Sequence, residues 1–211
     1  MTLTEWEKIF EDKIAKIATS DDPAHDILHF KRVVKTAKKL CLLENGKMEI
    51  VVPAAWLHDF VIVPKDSPLR NQASKLSAVG AIEYLISINY PKDHFDEIAH
   101  AIEGHSFSAN IEINTLEAKI VQDADRLDGI GAIGIARCFA TSGLLKRSFY
   151  SDMDPFCELR TPDDSVYTVD HFFKKLFKTA DNLKTESGKI EAQERIKFMK
   201  SYLNTLSTEI N

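Results

Sequence analysis

A chain of 211 residues is long enough to bury a sizeable core without disulfides or a structural metal. Its apolar and charged fractions are those of ordinary globular proteins, which excludes a disordered or low-complexity chain. The net charge of −5, with no stretch of basic residues free of acidic neighbours, argues against a dedicated nucleic-acid or anionic-membrane surface. Cys41, Cys138 and Cys157 are widely spaced and form no CxxC pair, so neither a zinc ribbon nor a disulfide framework is suggested. The acidic, amphipathic N-terminus is unlike a signal peptide, and the cytoplasm is the expected location.

The few Gly and Pro residues lean towards helices, and the periodicity agrees. Trp6, Ile9, Phe10, Ile14 and Ile17 recur at three- and four-residue steps, predicting a helix over Thr4–Ala18, with Thr4 and Glu7 spaced as a capping box. A second helix is predicted over Asp26–Glu44, stopped by Asn45-Gly46. Its lysines and Arg32 read as a solvated face. Met48–Val63 is apolar all round and reads as a buried central helix whose regular part starts near Pro53. After a polar loop, Pro64–Pro68, helices are predicted at Gln72–Ile88 and Pro91–Glu103. Another begins near Leu116 and is read as running to Thr141, through a stretch rich in small residues. Ser148–Tyr167 is the least regular segment, read as a surface excursion. Two last amphipathic helices follow at Val169–Leu183 and Glu186–Leu206. With no repeat and no long linker, residues 1–211 read as one all-α domain.

Ligand-type side chains cluster on these helices: His25 and His29; His58-Asp59; His100 and His105; Asp123, Asp125 and Asp128. The doublet is the most informative, because it follows AAWL at the end of the most apolar helix. An ionised Asp entering a core is costly unless a cation or strong hydrogen bonds compensate it. Any one of these residues alone would read as a hydrogen-bonded core histidine or a carboxylate at a helix end. Spacing does not separate His29 from His25, one turn apart on a helix.

HDILHFKRV, AAWLHDF, EGHSF and DADRLDGIGAIGIAR, taken together and in this order, resemble the HD superfamily of metal-dependent phosphohydrolases. The similarity runs from about His25 to Arg137, and the C-terminal helices, about 168–208, resemble a bacterial subgroup of small HD proteins. The resemblance implies an HD-domain helical bundle with additional C-terminal helices. It implies His29, in an H-x-x-R-V pattern, His58, Asp59, and Asp125, in an A-D-R pattern, as ligands of one divalent ion. Two imidazoles and two carboxylates suit Mn²⁺ first, with Mg²⁺, Fe²⁺, Co²⁺, Ni²⁺ and Zn²⁺ as alternatives. Four ligands leave coordination positions open for water and substrate, the pattern of a catalytic site.

The implied reaction is hydrolysis of a phosphoester or phosphoanhydride by metal-activated water, with a small phosphorylated substrate, a nucleotide foremost, cleaved in the manner of a pyrophosphohydrolase. Lys65 and Arg70, in a loop resembling PKxSPLRxQAS, and Ser74 at the following helix start are candidate phosphate contacts. His105 is a candidate proton donor or phosphate ligand, His25 a candidate acid/base group or support for a ligand, and Asp128 would orient a ligand or water. His94 and His171 read as surface or packing residues. Two other classes compete: a nucleotide-binding regulatory module without turnover, and a dinuclear-iron HD oxygenase that recruits His100 and His105. Oligomeric state is left open.

Overall fold

A computed structural model describes residues 1–18, 26–63, 67–106 and 111–210. Among these the chain is all-helical, with no strand beyond an isolated bridge between Ser148 and Tyr167. No described helix is long and apolar enough to cross a membrane. The chain falls into two compact units, Met1–Asp125 and Arg126–Asn211. The sequence reads as one domain because the boundary lies inside a helix, where no linker marks it.

In the first unit, α1 (Leu3–Ile14) is capped two residues earlier than expected. Thr2 and Glu5 form the reciprocal capping box, in place of Thr4 and Glu7. Trp6, Phe10 and Ile14 form its buried stripe, and the first two rings pack on Tyr90. The second helix, α2 (Ile27–Glu44), starts at an Asp26 cap and ends at Asn45 in the left-handed conformation, as its sequence signals required.

The central helix α3 (Met48–Leu57) is buried from Ile50 through Leu57 and is packed by α1, α2 and α5 (Phe95–His105). It begins five residues before Pro53, which therefore lies inside it, contrary to the expected start. Proline has no N–H for the carbonyl one turn back, at Glu49. Tyr90 Oη donates to that carbonyl at 2.9 Å, so the helix passes through the proline without an orphaned acceptor. A short 3-10 turn, Arg70–Gln72, leads into α4 (Ala73–Ser87), and another, Lys92–His94, leads into α5.

The helix predicted from Leu116 to Thr141 is two helices, α6 (Leu116–Asp128) and α7 (Gly131–Leu144). Gly131 takes φ +79°, which breaks the right-handed path. In the second unit, Arg195 Nη1 donates to the Leu127 carbonyl left open at the end of α6, at 2.5 Å.

The Ser148–Tyr167 excursion is tied down by Arg160, which grips the fully buried Asp170 through both terminal nitrogens at 2.5 and 2.7 Å. A π-helical turn, Phe172–Leu176, precedes the short α8 (Phe177–Ala180), where one longer helix was expected. The chain closes with α9 (Glu186–Ile210).

Two glycines of α7 should respond oppositely to alanine. A Cβ on Gly134 would run into the Gly129 carbonyl, whereas one on Gly143 meets open space. Thermal denaturation should show Gly134→Ala losing about 1–3 kcal/mol and Gly143→Ala gaining up to about 1 kcal/mol.

A second check concerns acid stability. Burial pushes the Asp164 carboxyl up, but hydrogen bonds from Lys174 (2.7 Å) and His171 (2.8 Å) outweigh it and hold it at about 2. A depressed carboxylate contributes stability that is complete above its unfolded pKa, near 3.8, and is lost as pH falls towards 2. The wild type should therefore lose its stability advantage over Asp164→Asn between pH 4 and 2, as followed by denaturant midpoints.

Candidate metal centre

The first unit gathers side chains from four helices at one place. His29 comes from the first turn of α2, and His58 and Asp59 follow the last turn of α3. His105 is the last residue of α5, and Asp125 comes from the last turns of α6. The first helical turn of α2 is fixed by its Asp26 cap, whose carboxylate accepts from the His29 N–H at 2.9 Å.

The three imidazoles are buried, whereas the Asp59 and Asp125 side chains remain 23% and 28% exposed, so the cluster opens towards solvent on its carboxylate side. His58 is central. Its Nδ1 lies 2.8 Å from the Ala55 carbonyl, a partner that only an N–H can satisfy. A neutral His58 ring therefore has its lone pair on Nε2. That atom is 3.2 Å from His29 Nε2, 3.8 Å from Asp59 Oδ2 and 3.9 Å from Asp125 Oδ1. His29 Nε2 is 3.6 Å from the same Asp125 oxygen.

Burial pushes the His58 imidazole down to about 4, against the opposing pull of Asp59. It is thus neutral at ordinary pH, the form a metal ligand needs.

His29, His58 and Asp125 form one set of donors lying within 4.8 Å of one another; His58, Asp59 and His105 form another. Donors about 2.0–2.2 Å from a common ion stand about 3–4 Å apart, so this imidazole–carboxylate cluster could hold a divalent cation. The donor chemistry fits a borderline ion, and the carboxylates stay partly accessible to solvent.

The structure brings His105 into the cluster. Its Nε2 is 3.5 Å from Asp59 Oδ1, and its ring lies 4.9 Å from that of His58. Burial lowers its affinity for a proton, but the Asp59 hydrogen bond and the charges of Asp59 and Asp125 outweigh this and raise it to about 8. His100 is not drawn in with it; its Nε2 accepts from the Asn114 N–H at 3.4 Å.

Phe60, next after the doublet, is stacked on Tyr84 with ring centroids 5.5 Å apart. Lys13 of α1 lies 5.4 and 5.2 Å from the two centroids. These contacts brace the turn that carries Asp59.

Among the expected substrate contacts, Arg70 Nη1 donates to the Val63 carbonyl at 3.0 Å, closing the two ends of the loop. Ser74 lies in the first turn of α4, and its buried hydroxyl has no hydrogen-bond partner among the described residues. His25 and Lys65 lie outside the described residues. Asp128 belongs to the second unit, where Arg137 Nη1 donates to its Oδ2 at 2.6 Å and to its carbonyl at 3.1 Å. Its carboxylate is thus already engaged, whereas the sequence suggested orientation of a ligand or water.

Gln122 was not singled out in the sequence. It is buried on α6, and its Nε2 donates to the Gly104 carbonyl at 2.6 Å. No local pattern marks a bond spanning 18 residues.

The HD domain family matches residues 27–130, a span that includes all five clustered side chains. Over 201 residues the chain is 31% identical to YpgQ of Bacillus subtilis, covering 93% of this chain and 90% of that protein. The chain belongs to the HD-domain family.

Solved structures agree over nearly the whole length. The crystal structure of B. subtilis YpgQ in complex with ADP is similar with a TM-score of 0.71 at 31% identity, covering 95% of this chain and all of that one. An HD-superfamily hydrolase of Bacillus thuringiensis is similar with a TM-score of 0.76 at 30% identity, covering 99% and 98%. HD domains bind divalent metals, and the His/Asp cluster of this HD-domain protein could hold one.

Metal-free protein titrated with Mn²⁺ should take up about one ion per chain and gain thermal stability by mass action. Asp59→Asn and Asp125→Asn should each weaken binding by more than the roughly 10–100-fold that changes outside the direct ligands cost. Elemental analysis and calorimetry read both quantities.

Proposed function

We propose that this HD-domain protein is a metal-dependent phosphohydrolase acting on a phosphoester or phosphoanhydride bond. We take a nucleotide as its substrate, with a nucleoside monophosphate and pyrophosphate as the products from a triphosphate. The observation that carries this reading is the cluster of His29, His58, Asp59 and Asp125, buried at its imidazoles and open at its carboxylates, with His105 beside it. The hydrolase description of the B. thuringiensis relative supports the broad class, and the ADP complex of YpgQ supports a nucleotide ligand.

His29, His58, Asp59 and Asp125 would hold the ion, with Mn²⁺ preferred among divalent candidates. When bound, it would supply Lewis-acid polarisation of a phosphoryl oxygen and acidify a water molecule. His58 keeps its Nε2 lone pair available because Ala55 fixes the other ring nitrogen as a donor. His105, whose proton affinity is raised beside Asp59, would deliver a proton from Nε2 to a leaving oxygen.

Arg70, just before α4, and Ser74, in its first turn, would meet substrate phosphate together with the helix N-terminus. Lys65 is assigned to the same phosphate group, and His25 to acid/base duty, from the family resemblance. Asp128 is retained as a residue that orients the end of α6 through Arg137.

Incubation of metal-free protein with Mn²⁺ and a nucleotide panel should release phosphate or pyrophosphate. His105→Gln should lower kcat by about 10²-fold or more with little effect on KM. Tight nucleotide binding without release would favour a regulatory module, and two irons per chain without phosphate release would revive the oxygenase reading. Either result would end the phosphohydrolase reading.

A further inference from the structure

The final carbonyls of α5 have no partners within the helix. Two of them are taken by side chains near the metal centre. The His105 imidazole turns back on its own helix, with Nδ1 2.6 Å from the Ile102 carbonyl. Gln122 reaches across from α6, its Nε2 donating to the Gly104 carbonyl at 2.6 Å. Gln122 thus holds the peptide unit that leads directly into His105. It also lies three residues before Asp125 on α6, about one helical turn away. A single hydrogen bond therefore links the carrier of Asp125 to the carrier of His105.

The amide is not a neutral choice for that position. Gln122 is only 3% exposed, and its Oε1 has no hydrogen-bond partner among the described residues. A buried acceptor left unsatisfied opposes folding. A leucine or methionine would fill a comparable space without that cost. Packing alone does not account for the glutamine, whereas its bond to Gly104 does.

We propose that Gln122 is a positioning residue. By holding the Gly104 carbonyl it fixes the end of α5, keeps His105 Nδ1 on Ile102, and so aims His105 Nε2 at Asp59. The catalytic consequence rests on the reading of His105 as a proton donor; the effect on its ring geometry does not.

The test uses Gln122→Met, which keeps the length of the side chain and removes the donor. Ile98→Ala is the control: it loosens the buried face of the same helix and leaves the bond intact. In metal-free protein at alkaline pH, with the imidazole neutral, ¹⁵N NMR reports which nitrogen of His105 carries the proton. The wild type should show the proton on Nδ1, and Gln122→Met should shift towards a mixture of both forms.

With Mn²⁺ and substrate, Gln122→Met should lose on the order of 10-fold in kcat with KM within about twofold. Ile98→Ala should lower the Tm and move neither readout. The proposal is overturned if Gln122→Met lowers the Tm alone, or if Ile98→Ala changes the His105 tautomer equally. Should Gln122→Met fail to fold, Gln122→Asn retains an amide one methylene too short to reach Gly104, and the same two readouts apply. If the wild type turns over no phosphorylated substrate, the phosphohydrolase reading fails, and the tautomer comparison still decides the role of Gln122.

Discussion

The Nδ1–H of His58, held on the Ala55 carbonyl, is the constraint on which the candidate site depends. It forces the Nε2 lone pair of a fully buried, neutral imidazole towards His29, Asp59 and Asp125. Without such a lock, a neutral histidine could place its proton on either nitrogen, and one choice would abolish its capacity as a ligand. The lock is local, three residues long, and comes from the end of the most apolar helix in the chain. Helix α3 thereby does two things at once: it fills the core of the first unit and orients the doublet that follows it.

The surrounding helices satisfy different parts of the same requirement. The Asp26 cap sets the first turn of α2, from which His29 projects, and the brace of Tyr84 and Lys13 on Phe60 fixes the chain just beyond Asp59. Tyr90 supplies the hydrogen bond that Pro53 cannot, so the proline does not break the helix before it reaches His58. These supports are distributed over four elements, and each is a small interaction. Their common effect is to hold polar groups close together in a buried place, where they would otherwise repel or remain unsatisfied.

Much of this is legible in the sequence, and the features that are not share a physical cause. The start and stop of α2 were readable because Asp26, Asn45 and Gly46 act on the backbone beside them. The apolar run of α3 was readable for the same reason, but its passage through Pro53 was not, because Tyr90 lies 37 residues away in sequence. Likewise Gly131 was read as a small residue in a continuing helix, whereas its positive φ divides α6 from α7.

At the site, helical spacing left His25 and His29 equivalent, and only the family pattern preferred His29. The convergence of His105 on Asp59, and the bond from Gln122 to Gly104, are tertiary facts with no local signature.

The proposed function requires that His29, His58, Asp59 and Asp125 together hold one divalent ion. Its most direct test is a crystal structure of the protein grown with Mn²⁺ and a non-hydrolysable nucleotide, with anomalous data collected at the manganese edge. One anomalous peak is expected within bonding distance of the two Nε2 atoms and both carboxylates, with a nucleotide phosphate oxygen in an open coordination position. A Mn²⁺ peak elsewhere, or a nucleotide bound away from these four side chains, would contradict it.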